Sequence, residues 1–517
     1  MNLPITPGVK VEASLAAVWT DLTRDVDNEA GLSIRYGIEA NGPLEGVADP
    51  GECTFALQNW AKPAIGRPQG YYAPLHASVR SGWTWGVPLR ISLRDPTTGI
   101  WHTKHRGKTR VIDPVAGLYA ARLVPVVSQD GMIDLDEADV RGLAIETGKT
   151  ETELITAVLD ALAAEAQPVA RDLDVGVDTF AYAFHDLGDG VKATELINDI
   201  ATDAYAFIFM KGDGTFVLRN RHTRVEGVSA GLFTDLTLHG FTAPSDLNQA
   251  YNLVRVTISP PTIDAAATTV LYADQSVRSV TAGQTVEFWV SYRDPDESKT
   301  LIGGLDVVTP LEDGVDYAGN SQADGLGADL TGSLAITVTA FGSAALVSIE
   351  NLHQSVTIYL VNGSGDPFLQ IRGKGVYDLG PTTYEASSTQ PYGVRELKVT
   401  LRYQDDPGVA QSYADYLEAQ RHSLARQPQT VAFVANTSAA LMTHALAREP
   451  GDIITVTEAM TGFTAVEAVI QSVELLISKG AVIVCRWGLA PTAPYKSWQL
   501  GVAGRTALGA GQTILGF

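Results

Sequence analysis

Residues able to do chemistry are few in this chain, and their spacing is unhelpful to catalysis. His102 to Arg110, HTKHRGKTR, is the one basic cluster. Strand alternation sends His102, Lys104 and Arg106 to one face and Trp101, Thr103 and His105 to the other. The cations then either meet acidic groups on a neighbour or coat a solvated hairpin. The two histidines fall on opposite faces and do not share a metal. Cys53 and Cys485 are the only cysteines, each inside an apolar, strand-like run. They read as a buried thiol pair rather than a disulfide framework or a zinc site. The acidic loop from Asp324 to Asp329 lacks the spacing and closing Glu of a calcium loop and reads as a solvated turn. There is no His-Glu-x-x-His, no Gly-x-x-x-x-Gly-Lys-Ser/Thr and no Cys-x-x-Cys. A glycosidase needs only two carboxylates, and among 59 Asp and Glu that requirement selects nothing. No catalytic residue, cofactor or metal is expected.

The elements that would position a site are mostly strands. With 517 residues the chain exceeds one core, and about three to five domains are expected. At 45% hydrophobic and 19% charged its composition is that of an ordinary globular protein. No apolar run reaches the roughly 18 residues of a membrane span, and the start, MNLPITPGVKVEAS, has no secretory pattern, so a cytoplasmic origin is expected. The charge of −22, from 37 Lys and Arg against 59 Asp and Glu, argues against sequence-specific nucleic-acid binding. It suits a surface that DNA must slide past.

The fold expected is mainly β with an α+β middle segment. Residues 1–125 form a small β-barrel, with Cys53, Phe55 and Leu57 alternating against Thr54, Ala56 and Gln58. Within it Tyr71, Tyr72, Trp83 and Trp85 read as core or interface anchors, with a sugar platform as the other reading. Residues 126–264 are an α+β domain with helices over Glu151 to Ala166 and Lys192 to Thr202, followed by a hairpin through Lys211-Gly-Asp-Gly214. Residues 265–376 read as an inserted immunoglobulin-like β-sandwich. Residues 377–495 form a second β-barrel with one helix, from about Val409 to Arg421, and end in a hairpin through Ser478-Lys479-Gly480.

The last segment, 496–517, is different. WQLGVAGRTALGAGQTILGF is too rich in Gly for a helix and too poor in β-branched residues for a good strand. Trp498, Leu500, Leu508, Ile514, Leu515 and Phe517 therefore need another surface to bury them, as an arm on a partner or as a tail on their own domain.

The run REPGDIITVTEAMTGFTAVEAVIQSVELLISKGAVIVCRWGLAP, followed by that Gly/Leu arm, resembles the C-terminal half of the baseplate-hub, or tail-associated, proteins found at the tail tip of long-tailed bacteriophages. The likeness spans roughly 400 residues, everything but the insertion, at the level of pattern. It implies a structural virion protein: a homotrimer whose two barrels per copy give six similar positions beneath a hexameric tail-tube adaptor. It also implies a lumen passing DNA or the tape-measure protein, and an arm gripping a neighbouring subunit or a distal fibre or receptor-binding protein. Assembly would take place in the host cytoplasm. The competing reading is a carbohydrate-binding or carbohydrate-degrading tail protein acting on a host surface glycan through the Tyr71 to Trp85 stretch and the insert.

Overall fold

The computed structural model describes residues 8–39, 42, 44–116, 122–187, 190–223, 227–297, 299–422, 427–479, 482–492, 497–498 and 514–515. Strands hold 44% of the chain and helices 14%, so the fold is mainly β. Among the described residues no helix is long and apolar enough to cross a membrane.

Both ends of the chain build one sheet. Its N-terminal strands are β1 (Gly8–Leu15), β2 (Val18–Asp21), β3 (Leu32–Gly37), β4 (Glu52–Gln58), β5 (Pro88–Arg94), β6 (Trp101–Ile112) and β7 (Leu123–Asp130). They run in the order β3-β4-β7-β6-β5-β1-β2. β3 then pairs antiparallel with Phe463–Ser478, from Leu32 opposite Ile477 to Gly37 opposite Ser472. Beyond it lie Val482–Pro491, Thr430–Val434 and the edge strand Gly240–Thr242. Ile453–Glu458 pairs with the first half of Phe463–Ser478, and Leu232–Thr234 lies parallel on its far side. The long strand Phe463–Ser478 is the spine, because its two halves carry different neighbours on one side. Gly37 is required where they meet: a Cβ there would lie 2.4 Å from the Gln471 carbonyl oxygen, and φ is +95°.

Alternation explains why these segments are strands. β7 buries every second residue, and the inward residues of both ends form a single core, from Val11, Leu89 and Ile91 to Phe233, Phe433 and Trp487. Phe433 and Trp487 meet edge-to-face at 4.9 Å between centroids. Helix α5 (Ala439–Ala447) covers this end, burying Leu441, Met442, Ala445 and Leu446. It is a second helix where the sequence reading has one. AALMTHALA is apolar nearly all round, so it shows no helical stripe.

The middle segment carries α1 (Met132–Glu137), α2 (Glu151–Asp160) and α3 (Ala193–Ala204). α2 starts at a reciprocal cap, with Thr150 accepting from the Glu153 N–H and the Glu153 carboxylate accepting from the Thr150 N–H. It stops at Asp160, short of Ala166. Leu154, Val158, Leu159, Leu196, Ile197 and Ile200 are buried against a small sheet that includes Phe207–Met210 and Thr215–Arg219. α3 ends on Tyr205 at φ +51°. The rings of Tyr413 and Tyr416 pack on Tyr205 at 5.7 and 5.4 Å and hold it there.

Leu253–Ile258 is the middle of another three-stranded sheet, antiparallel to Thr382–Ser387 and parallel to Glu396–Leu401. α4 (Pro407–Arg421) lies over it, capped by Asp406 and started by Pro407, with Tyr413 and Leu417 buried. Everything between Ile258 and Thr382 is inserted between directly paired residues. That insertion is all antiparallel strand pairing around a core of its own, including Leu271, Tyr292, Val347 and Ile371. It leans on the middle segment, where the Gly342 N–H donates to the Leu143 carbonyl at 2.7 Å.

Candidate functional site

The basic strand is not the exposed one expected. Opposite Ile91 and Ser92 the register of β6 slips, so that Ile91 faces His105 and Ser92 faces Thr103. This bulge at Lys104 breaks the alternation. Lys104 and His105 both turn inward, at 0% and 1% exposed. His105 bonds Ser128 Oγ at 2.8 Å, and burial pushes its pKa down to about 3, so it is neutral. His102 and Arg106 remain half-buried.

Lys104 has a full set of partners. Its Nζ lies 2.6 Å from Glu449 Oε1 and donates to Tyr36 Oη and the Arg448 carbonyl, each at 3.1 Å. A buried ammonium is tolerated only when all three donors are used. The Lys211–Gly214 turn closes over this pair. A Cβ on Gly212 would sit 2.8 Å from Lys104 Cα, and one on Gly214 would sit 3.1 Å from Arg106 Cδ. The Gly-Asp-Gly turn is thus shaped to fit β6, and the two ends and the middle of the chain meet at Lys104. Glu449 and Tyr36 escape sequence reasoning, because only the fold brings them to the lysine.

The aromatic stretch is mostly core. Tyr72 and Trp83 are 0% and 2% exposed, edge-to-face at 5.4 Å, and Tyr72 Oη donates to Asp25 and accepts from Arg80. Arg67 joins the same carboxylate. Only Trp85 of the four is exposed, so no row of rings is offered to a sugar.

Cys53 and Cys485 occupy one cross-strand row: Cys53 faces Ile34, Ile34 faces Leu475, and Leu475 faces Cys485. Three strand spacings separate them, about 14 Å, too far for a disulfide. Both are buried free thiols, as expected, but they do not meet. Burial raises both thiol pKa values. Asp324 and Asp329 accept from nearby backbone N–H groups of their own loop, and among the described residues no cluster of three or more His, Cys, Asp or Glu is placed to hold a metal. Gly227-Val-Ser-Ala-Gly231 does have nucleophile-elbow spacing, which the sequence reading overlooks. Ser229 lies before an edge strand with no helix following, and its hydroxyl is held by Thr455 Oγ1 and the Gly231 carbonyl. The strand-turn-helix setting such a motif needs is missing.

Of the arm residues, Leu500, Leu508 and Phe517 lie outside the described residues. Ser497–Trp498 pairs in parallel with Ile514–Leu515. The arm leaves the sheet at Thr492, whose hydroxyl donates to the Glu467 carbonyl at 3.2 Å.

No protein-family model matches the chain, and no curated protein matches it by sequence. Solved structures similar to it include three phage or bacterial tail proteins. The 43 kDa tail protein of prophage MuSo2 from Shewanella oneidensis is 8% identical over 94% of this chain and 97% of that one, with a TM-score of 0.49. The tail protein from Neisseria meningitidis MC58 is 10% identical over 93% and 96%, with a TM-score of 0.48. Prophage tail protein gp18 from Listeria monocytogenes EGD-e is 7% identical over 93% and 94%, with a TM-score of 0.41. Likenesses this remote, all below 0.5, carry nothing into the functional reading.

Proposed function

We propose that this chain is a structural subunit of a tail tip: a baseplate hub that forms a trimeric ring beneath a hexameric tail-tube adaptor. Supporting this reading is the seam between the chain's two ends. Six consecutive residue pairs join β3 to Phe463–Ser478, and the Lys104–Glu449 ion pair pins the same junction. A chain whose two strand-rich ends share one sheet holds them at a fixed angle. Three copies then present six lobes in constant geometry, which is what matching a sixfold tube requires.

In this reading residues 1–125 and 377–495 supply the hub lobes, and 126–264 braces them. The immunoglobulin-like insert 265–376 faces outward, toward the host surface. The arm 496–517, through Trp498, Leu500, Leu508, Ile514, Leu515 and Phe517, binds a neighbouring subunit, a distal fibre or a receptor-binding protein. The ring passes DNA or the tape-measure protein through an acidic lumen, and the work is mechanical rather than catalytic. Incubation with host envelope polysaccharide tests the last point: unchanged polymer agrees with the hub, and release of reducing ends would replace it with a carbohydrate-degrading protein.

A further inference from the structure

Leu236 and Met460 are the barest large hydrophobic side chains among the described residues, 97% and 96% exposed. They sit on adjoining tips at one end of the C-terminal lobe. The Asp235 carboxylate accepts from the Ala459 N–H at 3.2 Å and ties the two tips together. Phe463, the strand partner of Glu458, meets Phe241 edge-to-face at 5.5 Å, and both are half-buried. Alongside runs the edge strand Leu232–Thr234, whose Leu232 is also exposed. Single exposed apolar residues need no explanation, but a group of this kind at one end of a lobe marks a contact surface. Met suits such a surface because its unbranched side chain adapts to an irregular partner.

What covers it is indicated by charge and by position. Asp235, next to Leu236, and Glu458, whose carboxylate accepts from the Met460 and Thr461 N–H groups, put two negative charges at the tips. Residues 493–517 contain Lys496 and Arg505 and no Asp or Glu, within a chain of net charge −22. The rest of that segment is uncharged: Gly, small and polar residues, and an apolar set that includes Trp498, Leu500, Leu508, Ile514, Leu515 and Phe517. It is a cationic, apolar ligand for an acidic, apolar surface. It also departs from the same lobe, at Thr492 beside Glu467, about 13 Å of strand from Phe463. Among the described residues nothing covers either tip.

We propose that the Leu236/Met460 tips seat the Gly/Leu arm of a second copy of this chain. Arms exchanged in one direction around a ring make a heterologous contact that closes with the ring. This rests on the hub reading, since it needs a neighbour.

The test uses two full-length, differently tagged chains expressed together, one carrying Met460→Cys and the other Leu508→Cys. The natural Cys53 and Cys485 are fully buried and stay out of exchange. Mild oxidation is expected to give a disulfide-linked species bearing both tags. Leu236→Glu with Met460→Glu is expected to lower the oligomeric fraction as far as deletion of 499–517 does, with no further loss when the two are combined. Cross-linking only within a chain carrying both cysteines, no cross-link in a protein that is trimeric by light scattering, or additive losses would each overturn the exchange and leave the hub standing. A protein that is monomeric throughout would instead remove the hub reading.

Discussion

Lys104 and Glu449 are 345 residues apart in sequence and 2.6 Å apart in space. The lysine is completely buried, while the glutamate side chain keeps 24% of its surface. The ammonium is therefore committed to this site, and the carboxylate can still fall back on water. Replacing the cation by Lys104→Met strands Tyr36 Oη and the Arg448 carbonyl without their donor. The expected cost is about 2–3 kcal/mol, read as a lower urea midpoint with unchanged slope. Glu449→Gln leaves the ammonium buried without a counter-charge and is expected to cost at least as much. A midpoint unmoved by both changes would show that the seam is held by its strands alone.

Asp130 gives the seam region a pH dependence with a definite sign. The side chain is 5% exposed, and burial, reinforced by Asp134, raises its pKa to about 7 although the Met132 N–H donates to it. Between the ordinary aspartate value and about 7, the folded protein holds a proton that the unfolded chain has released. Stability from this group is thus whole at low pH and is lost as pH rises through 7. Asp203, raised by burial to about 8, adds the same sign. Asp130→Asn keeps the acceptor for Met132 and removes the titration. The variant is expected to match the parent near pH 4 and to be the more stable above pH 7, in urea titrations at both values. Equal stability across the range would mean that Asp130 is not protonated in the folded state.

The tip of the β1–β2 hairpin stores strain. Ala16 and Ala17 sit at φ +49° and +66°, between the paired residues Leu15 and Val18. A two-residue turn of this hand favours Asn-Gly, and alanine there is disfavoured. Ala16→Asn with Ala17→Gly is expected to stabilise the protein by about 1–2 kcal/mol. A loss of stability would show that the alanines make contacts worth more than the strain.

The insertion is expected to be removable. Ile258 and Thr382 are direct partners in an antiparallel pair, so a short turn joining them leaves an ordinary hairpin. Deleting 259–381 gives up the His185–Asp378 bond and the Gly342–Leu143 bond, while the large core and the sheet under α4 share none of their buried residues with the insert's core. The shortened protein is expected to fold and to keep its oligomeric state, seen by circular dichroism and light scattering. Aggregation on expression would show that the insert supports the strand-rich ends of the chain.

Sequence made visible whatever was local. The hairpin that pairs Ser478 with Val482, the helices beginning at Glu151 and Ala193, the strand-rich ends and the Lys211–Gly214 turn all follow from periodicity and turn residues a few positions apart. What stayed hidden depended on distant partners or on an interrupted period. The bulge at Lys104 turns a solvent-facing reading into a buried ion pair, and no spacing within β6 announces it. Pairing of β3 with a strand more than 400 residues on is set by the shared core, so the two strand-rich ends share one sheet. Cys53 and Cys485 fall in one row only because of that pairing. Met460 was available to the eye, as a large apolar residue in a Thr-Gly turn where water is expected.

Whether this chain works as a threefold ring is tested most directly by light scattering on purified protein together with class averages from electron microscopy. The account predicts a particle of three 55.0 kDa chains, ring-shaped with an open centre, that falls apart when 499–517 is deleted while each chain stays folded. A monomer at every concentration, or an oligomer without threefold symmetry, would contradict it.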